Sequence, residues 1–424
     1  MRKVELLMPA GNMEKLRYAV GYGADAVYLG AVDFSLRAMR KGELITLENL
    51  KNAIDLAHKL GAKAYLTLNI FAFNSDIKHL EECIEIIKES NPDAILVSDF
   101  GILRLLKKFM PDTQIHISTQ TNILNYECVK FWQDMGASRV VLARELSIRE
   151  IADIKQKVPD MELECFVHGS QCVSFSGRCL LSDYFTNGER RANSGNCSQP
   201  CRWSYKLVEQ TRPGQYYEIN QDDRGSHILS PKDLCLVKYL KDLIDAGVDS
   251  FKVEGRTKSL YYVSSVAKTY RQAIDEILTN PQADMEKYFI ELQKVGNRGY
   301  TTGFALGNND YTSYSYDISK GLAGADFLFE FHGKKKHSDI VFGSECEDNC
   351  YFVTIKNKIY RGDEVEIITP KQQFVTKIVE IIDEKGESCE YANTNSQVYL
   401  KFEEEPYDCE LALARTVGVK EHVY

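Results

Sequence analysis

Residues 4–30 read VELLMPAGNMEKLRYAVGYGADAVYLG. Residues 4–8 form a short apolar run that ends at Pro9-Ala10-Gly11. Residues 13–22 carry the pattern of an amphipathic helix, and residues 26–29 form a second strand-like run. The same unit recurs. Strands are expected over 64–70, 94–97, 114–118, 139–143, 163–167 and 250–254. Helices are expected over 47–60, where Leu50, Ala53, Ile54, Ala57 and Leu60 make the apolar stripe, and over 77–89, 231–246, 261–278 and 285–294. Gly23, Gly61 and Gly136 stand just before strands, where a helix ends in a left-handed residue. Eight alternating units predict an α/β fold, a closed (β/α)8 TIM-like barrel. A doubly wound open sheet is the alternative, but no GxGxxG phosphate loop follows the first strand.

The chain has 424 residues, which suits one barrel plus a small second module. Domains are expected over 1–332 and 338–424, with Lys334-Lys335-Lys336 as the linker. Beyond it, runs at 339–343, 350–355, 364–368, 373–381 and 397–402 are β-branched and broken by Gly, Asp and Asn, the pattern of a small all-β barrel or sandwich. With 44% hydrophobic and 27% charged residues the composition is that of an ordinary globular protein, with no apolar run of membrane-spanning length. A cytoplasmic location is expected, with the twelve cysteines kept reduced. A net charge of −9 excludes a generally basic nucleic-acid coat but not a local patch. There is no HExxH and no GxSxG, so no recognised protease machinery.

Five cysteines, Cys165, Cys172, Cys179, Cys197 and Cys201, fall between Glu164 and Trp203. A strand ends in His168-Gly169 and a polar loop follows, inserted over 170–230 with an expected hairpin at 205–209 and 216–219. Thiolates crowded on a loop suit a soft metal or an iron–sulfur cluster, and the spacing alone fixes neither. Arg178, Arg190, Arg191 and Arg202 surround them, forming either an RNA-facing patch or a solvated loop that balances thiolate charge. Cys83 and Cys128 lie on helices, and Cys346-x3-Cys350 is read as side chains of the β module.

Side chains alternate along a strand, so the barrel interior can be assigned. Tyr65, Thr67 and Asn69 point inward, as do His116, Ser118 and Gln120, Glu164, Phe166 and His168, and Lys252, Glu254 and Arg256. An interior of amides, imidazoles and ions is expensive unless paired. Deep residues such as Glu164 and Lys252 either form a self-satisfied network or do chemistry. Those near the C-terminal strand ends belong to the expected site. His168, Glu254, Arg256 and the deeper His116 are the candidate catalytic residues, with His168 either an acid or base or a satisfied structural residue beside the Gly turn. Arg37, Asn69, Ser118 and Gln120 are the candidate substrate-binding residues. The forks of Arg256 and Arg37 suit a carboxylate or phosphate.

The run Glu164-x-Phe166-x2-Gly169-Ser170-x-Cys172-x4-Gly177-x-Cys179-x-Leu181-Ser182 resembles the signature of family U32, the collagenase-like peptidases. Gln171 departs from it, standing where the family usually has an aliphatic residue. Pro9-Ala10-Gly11, Glu254-Gly255-Arg256 and the turn Arg361-Gly362-Asp363 extend the resemblance over most of the chain. Despite the peptidase name, several members are oxygen-independent hydroxylases of RNA or quinones that carry a 4Fe-4S cluster. The resemblance implies ligands at Cys172, Cys179, Cys197 and Cys235, with Cys201 as the spare. It further implies a tRNA hydroxylase acting on the 5-carbon of the wobble uridine in the anticodon loop, with prephenate, a small dicarboxylate, as co-substrate. A partner protein of the same family is a further implied partner. Competing readings are a collagenase-like peptidase, a hydroxylase of ribosomal RNA or a quinone precursor, and a non-catalytic RNA- or metabolite-binding barrel with a structural cluster.

Overall fold

The structure is a computed structural model. It describes residues 3–30, 44–172, 174–175, 179–187, 189–190, 197–203, 221–222, 225–226, 231–307, 313, 323–334, 350–406 and 409–418. The chain divides into two units, Met1–Phe289 with Asn297–Leu322, and Ile290–Gly296 with Ala323–Tyr424.

In the first unit, strands β1 (Glu5–Pro9), β2 (Ala26–Leu29), β3 (Lys63–Leu68), β4 (Ala94–Val97), β5 (Ile115–Ile117), β6 (Arg139–Val141) and β7 (Glu162–Gly169) pair in sequence order, all parallel. Helices α1 (Met13–Gly21), α2 (Leu50–Lys59), α3 (Asn74–Ser90), α4 (Phe100–Phe109), α5 (Tyr126–Asp134) and α6 (Ile148–Lys157) follow the first six strands. After β7 come α7 (Leu181–Phe185), a ribbon of β8 (Gln221–Asp222) and β9 (Gly225–Ser226), β10 (Asp233–Cys235) and α8 (Leu240–Asp245). Strand β11 (Ser250–Val253) pairs in parallel with both β7 and β1 and closes the barrel; α9 (Leu260–Thr279) and α10 (Glu286–Gln293) follow. The open-sheet alternative is thereby excluded.

Local chemistry sets the helix ends. Asn12 caps α1 by accepting from the Lys15 N–H, and Ser147 with Glu150 forms a capping box on α6. Gly23, Gly61 and Gly136 all have positive φ, as the sequence predicts. One glycine matters more. A Cβ at Gly169 would lie 2.4 Å from the Glu254 carbonyl oxygen, so only glycine lets β7 and the end of β11 approach this closely.

Two expectations are corrected here. Residues 231–246 are not one helix: Asp233–Cys235 is a strand, paired antiparallel to the end of β7 (Cys235 opposite His168) and parallel to β12 (Tyr300–Thr301). Three residues of strand carry no periodicity to distinguish them from the first turn of a helix. Lys334 is not linker but the last residue of β13 (Phe327–Lys334), whose register depends on distant strands; Lys335 and Lys336 lie outside the described residues.

The second unit is antiparallel, with order β16-β21-β13-β14-β20-β17-β18, closed by β16 against β17. The strands are β14 (Tyr351–Ile355), β16 (Glu364–Ile368), β17 (Gln373–Ile382), β18 (Ser388–Cys389), β20 (Gln397–Phe402) and β21 (Leu413–Thr416), beside a small pair of β15 (Ile359–Tyr360) and β19 (Tyr391–Ala392). Phe329, Val353, Ile367, Ile381 and Leu400 fill its core. The expected strand at 339–343 and the hairpin at 205–219 lie outside the described residues. Cys350 is disulfide-bonded, contrary to the expectation that every cysteine stays a thiol. Such a bond is set by Cα separation, which spacing leaves open.

Candidate functional site at the barrel mouth

The barrel interior is polar in layers. Deepest is an ion network. Arg139 bonds Glu5 at 2.6 Å, Glu162 at 2.8 Å and Glu164 at 3.2 Å, while Lys252 bonds Glu164 at 2.7 Å. The Tyr65 hydroxyl donates to Glu5 at 2.6 Å, and the His116 ring packs edge-on to Tyr65 at 4.9 Å. Glu164 and Lys252 therefore satisfy each other, as buried charges must.

His116 sits in this layer, and its Nδ1 has no hydrogen-bond partner among the described residues. Burial, then the charges of Arg139, Lys252 and Lys63, hold its pKa well below the ordinary 6.5. The unfolded chain therefore takes up a proton that the folded chain refuses. The resulting stability is complete above about pH 6.5 and is lost as pH falls below it. His116→Phe, which cannot titrate, is expected to flatten the fall of Tm between about pH 6.5 and pH 5. A slope equal to the wild type's would assign that fall to other groups.

One layer up, Tyr28 and Phe166 flank the Lys252 ammonium at 4.6 and 5.6 Å. The Arg256 guanidinium lies 5.8 Å from the Tyr28 ring and donates to Thr67 at 3.1 Å. Arg144, just beyond β6, sets its guanidinium over the ring of Phe166 on the neighbouring strand β7 at 3.7 Å. At the rim Asn69 donates to Ser118 and to Gln120, both at 3.2 Å, and the Ser118 hydroxyl also donates to Gln120. The Lys15 ammonium donates to the Arg256 carbonyl at 3.4 Å. Glu254 is buried beside this rim, its backbone N–H on the His168 carbonyl.

The structure thus brings Asn69, Ser118 and Gln120 into one bonded trio and sets Arg256 one layer below. Arg37 lies outside the described residues. His168 does not join them. Between Lys252 and Val253 the pairing of β7 with β11 shifts by one residue, so His168 stands opposite Val253 and takes its outward side. Its ring lies among Tyr262, Tyr270 and Tyr300, at 5.8, 5.5 and 5.3 Å, and burial pushes its pKa down to about 3. The sequence reading also missed Arg144, Lys15 and Arg298. Arg298 bonds Asp233 and the Ser170 hydroxyl, and so ties β10 to the loop after β7. A cue for Arg144 was its place directly beyond a barrel strand.

The thiol-bearing loop leaves the barrel at Gly169. Cys172 is exposed, Cys179, Cys197 and Cys201 are half-buried, and all are free thiols, as is buried Cys235. The Ser182 hydroxyl latches two parts of the loop, accepting from the Ser198 N–H at 2.8 Å and donating to the Arg190 carbonyl at 2.5 Å. Arg190 in turn donates to the Cys197 carbonyl at 3.2 Å. Cys235 Sγ lies 4.0 Å from the Tyr270 hydroxyl, and burial pushes its thiol up to about 12. Among the described residues no three His, Cys, Asp or Glu side chains converge in a way that could hold a metal ion. The donor chemistry nonetheless fits a soft metal, since these thiols are committed to no disulfide. Arg178, Arg191 and the Arg202 side chain lie outside the described residues. No helix among those described is long and apolar enough to cross a membrane.

These features define a (β/α)8-barrel protein with a polar, arginine-bearing mouth and a cysteine loop beside it. The profile of peptidase family U32 matches residues 11–315, and that of the peptidase family U32 C-terminal domain matches residues 340–412. The chain belongs to peptidase family U32. It is 38% identical to tRNA hydroxylation protein P of Haemophilus influenzae and 37% identical to that of Escherichia coli, in each case over 92% of this chain and 91% of the relative. It is 36% identical to the 23S rRNA 5-hydroxycytidine synthase of Escherichia coli, over 71% of this chain and 45% of that protein.

Proposed function

We propose that this protein is an RNA-modifying hydroxylase that acts on the 5-carbon of the wobble uridine in tRNA, with prephenate as co-substrate and a 4Fe-4S cluster. The observation that carries the reading is similarity along nearly the whole chain to two proteins named for tRNA hydroxylation. Cys172, Cys179, Cys197 and Cys235 would hold the cluster, which supplies one-electron chemistry when bound. Arg256, near the Tyr28 ring, and Arg144, on the Phe166 ring, would grip the two carboxylates of the acid, with Asn69 and Gln120 as neutral partners. Glu254 would be the carboxylate that holds a proton there. His168 is left out, because its ring faces α9 rather than the mouth. A wobble base is unpaired, so turning it into such a mouth costs only a few kcal/mol.

The test is a nucleoside mass profile of total tRNA from a deletion strain. The 5-hydroxyuridine family of nucleosides should be lost and should return with the wild-type gene. Arg256→Lys keeps the charge but loses the fork, and it should restore less than about a tenth of the modification. Unchanged tRNA in the deletion strain would sink the reading. A loss confined to ribosomal RNA would move the substrate to the kind named for the third relative.

A further inference from the structure

The cysteine loop exposes more large apolar surface than a solvated metal loop requires. Tyr184 is 77% exposed, Leu180 74%, Phe185 42% and Trp203 40%. The three aromatic rings form a chain: Tyr184 meets Phe185 at 5.2 Å, and Phe185 meets Trp203 at 5.7 Å. The chain of rings is held rather than floppy. Tyr184 and Phe185 belong to α7, whose Ser182 is bonded to Ser198 and to Arg190. Trp203 follows a short turn, Pro200–Arg202, and its N–H bonds the Pro200 carbonyl. Contiguous exposed aromatic surface on such a frame marks an interaction site.

Charge selects the partner. Residues 170–203 carry four arginines, Arg178, Arg190, Arg191 and Arg202, against Asp183 and Glu189, +2 before the cysteines are counted, in a chain of −9. Every cation there is arginine, the residue that both pairs with phosphate and stacks on bases. Aromatic rings interleaved with arginine form the stacking platform of proteins that grip single-stranded nucleic acid. The loop also leaves the barrel at Gly169, beside the mouth that would receive the target base.

We infer that Tyr184, Phe185 and Trp203 form a platform on which the unpaired nucleotides flanking the target base stack, with Arg190 on the backbone. The inference rests on RNA being the substrate and names the surface that recognises it. The test uses full-length protein purified anaerobically, a tRNA transcript with uridine at the wobble position, and the anticodon stem-loop of that tRNA. Tyr184→Ala and Trp203→Ala should each weaken stem-loop binding about tenfold, at unchanged Tm and iron content. Tyr184→Phe and Trp203→Phe, which keep a ring, should bind within about twofold of wild type. Arg190→Ala should instead lower the slope of log Kd against log salt by about one.

Trp203 offers a direct readout, since the chain has two tryptophans and Trp132 is buried. In Trp132→Phe protein the remaining emission should be quenched as stem-loop is added. Alanine variants that bind the stem-loop as tightly as wild type would overturn the platform, as would an unquenched Trp203. So would a defect confined to association with another protein. A wild-type protein that binds neither the transcript nor the stem-loop would overturn the RNA reading itself, and the platform with it.

Discussion

Protein purified without oxygen is expected to be brown and to carry about four irons and four sulfides per chain, the content of one cubane held by thiolates. Cys172→Ala, Cys179→Ala, Cys197→Ala and Cys235→Ala should each bleach it and abolish hydroxylation. Cys83→Ala and Cys128→Ala, on α3 and α5, should change neither. Cys201→Ala discriminates within the loop: colour retained fits the proposed set, whereas colour lost with Cys197→Ala still brown exchanges those two ligands. Cys172 is exposed, Cys179 and Cys197 are half-buried and Cys235 is buried on β10, so a bound cluster would tie the loop to that strand. Protection of the 170–203 backbone from proteolysis on cluster loading would report this independently of activity. Stoichiometric zinc without labile sulfide in oxygen-free preparations would defeat the cluster.

The second large effect concerns stability. Glu164→Ala removes the only carboxylate on the Lys252 ammonium seen among the described residues and one of three around Arg139. Breaking a buried pair from one side leaves a stranded charge, and the expected loss is about 3–5 kcal/mol. Burial already pushes Lys252 below the ordinary lysine range, and the Glu164 charge works against that. Without Glu164 the lysine is expected to shed its proton rather than stay charged. Glu164→Met combined with Lys252→Met, which removes both charges at similar volume, should recover most of the loss. Urea unfolding of Glu164→Ala and of the double variant measures this. A loss below about 1 kcal/mol in Glu164→Ala would mean the network does not hold the barrel together. Full hydroxylation by the folded double variant would in turn confirm that this layer is scaffold and that the chemistry lies above it.

The barrel was legible in the sequence because parallel strands and their crossover helices are local patterns. Period two pointed Tyr65, Thr67, Asn69, His116, Ser118, Gln120, Glu164, Phe166, His168, Lys252, Glu254 and Arg256 inward; bonds within the barrel join Tyr65, Asn69, Ser118, Gln120, Glu164, Lys252, Thr67 and Arg256 to inward neighbours, whereas His168 turns out. The strands 364–368 and 397–402 of the second unit were equally plain, being β-branched runs bounded by turn residues. The sequence by itself therefore determined the alternation of elements, most of the inward polar side chains and the concentration of thiols after β7. It could not determine what depends on pairing between distant segments. One extra residue in β7, expressed only against β11, turned His168 outward to the tyrosines of α9. Pairing with the end of β7 made a strand of Asp233–Cys235 and set Cys235 opposite His168. Pairing of β6 with β7 brought Arg144 onto Phe166. Side-chain alternation is written in neighbouring residues, whereas a bulge, a short antiparallel pair and a stacked guanidinium exist only once strands far apart in the chain have met.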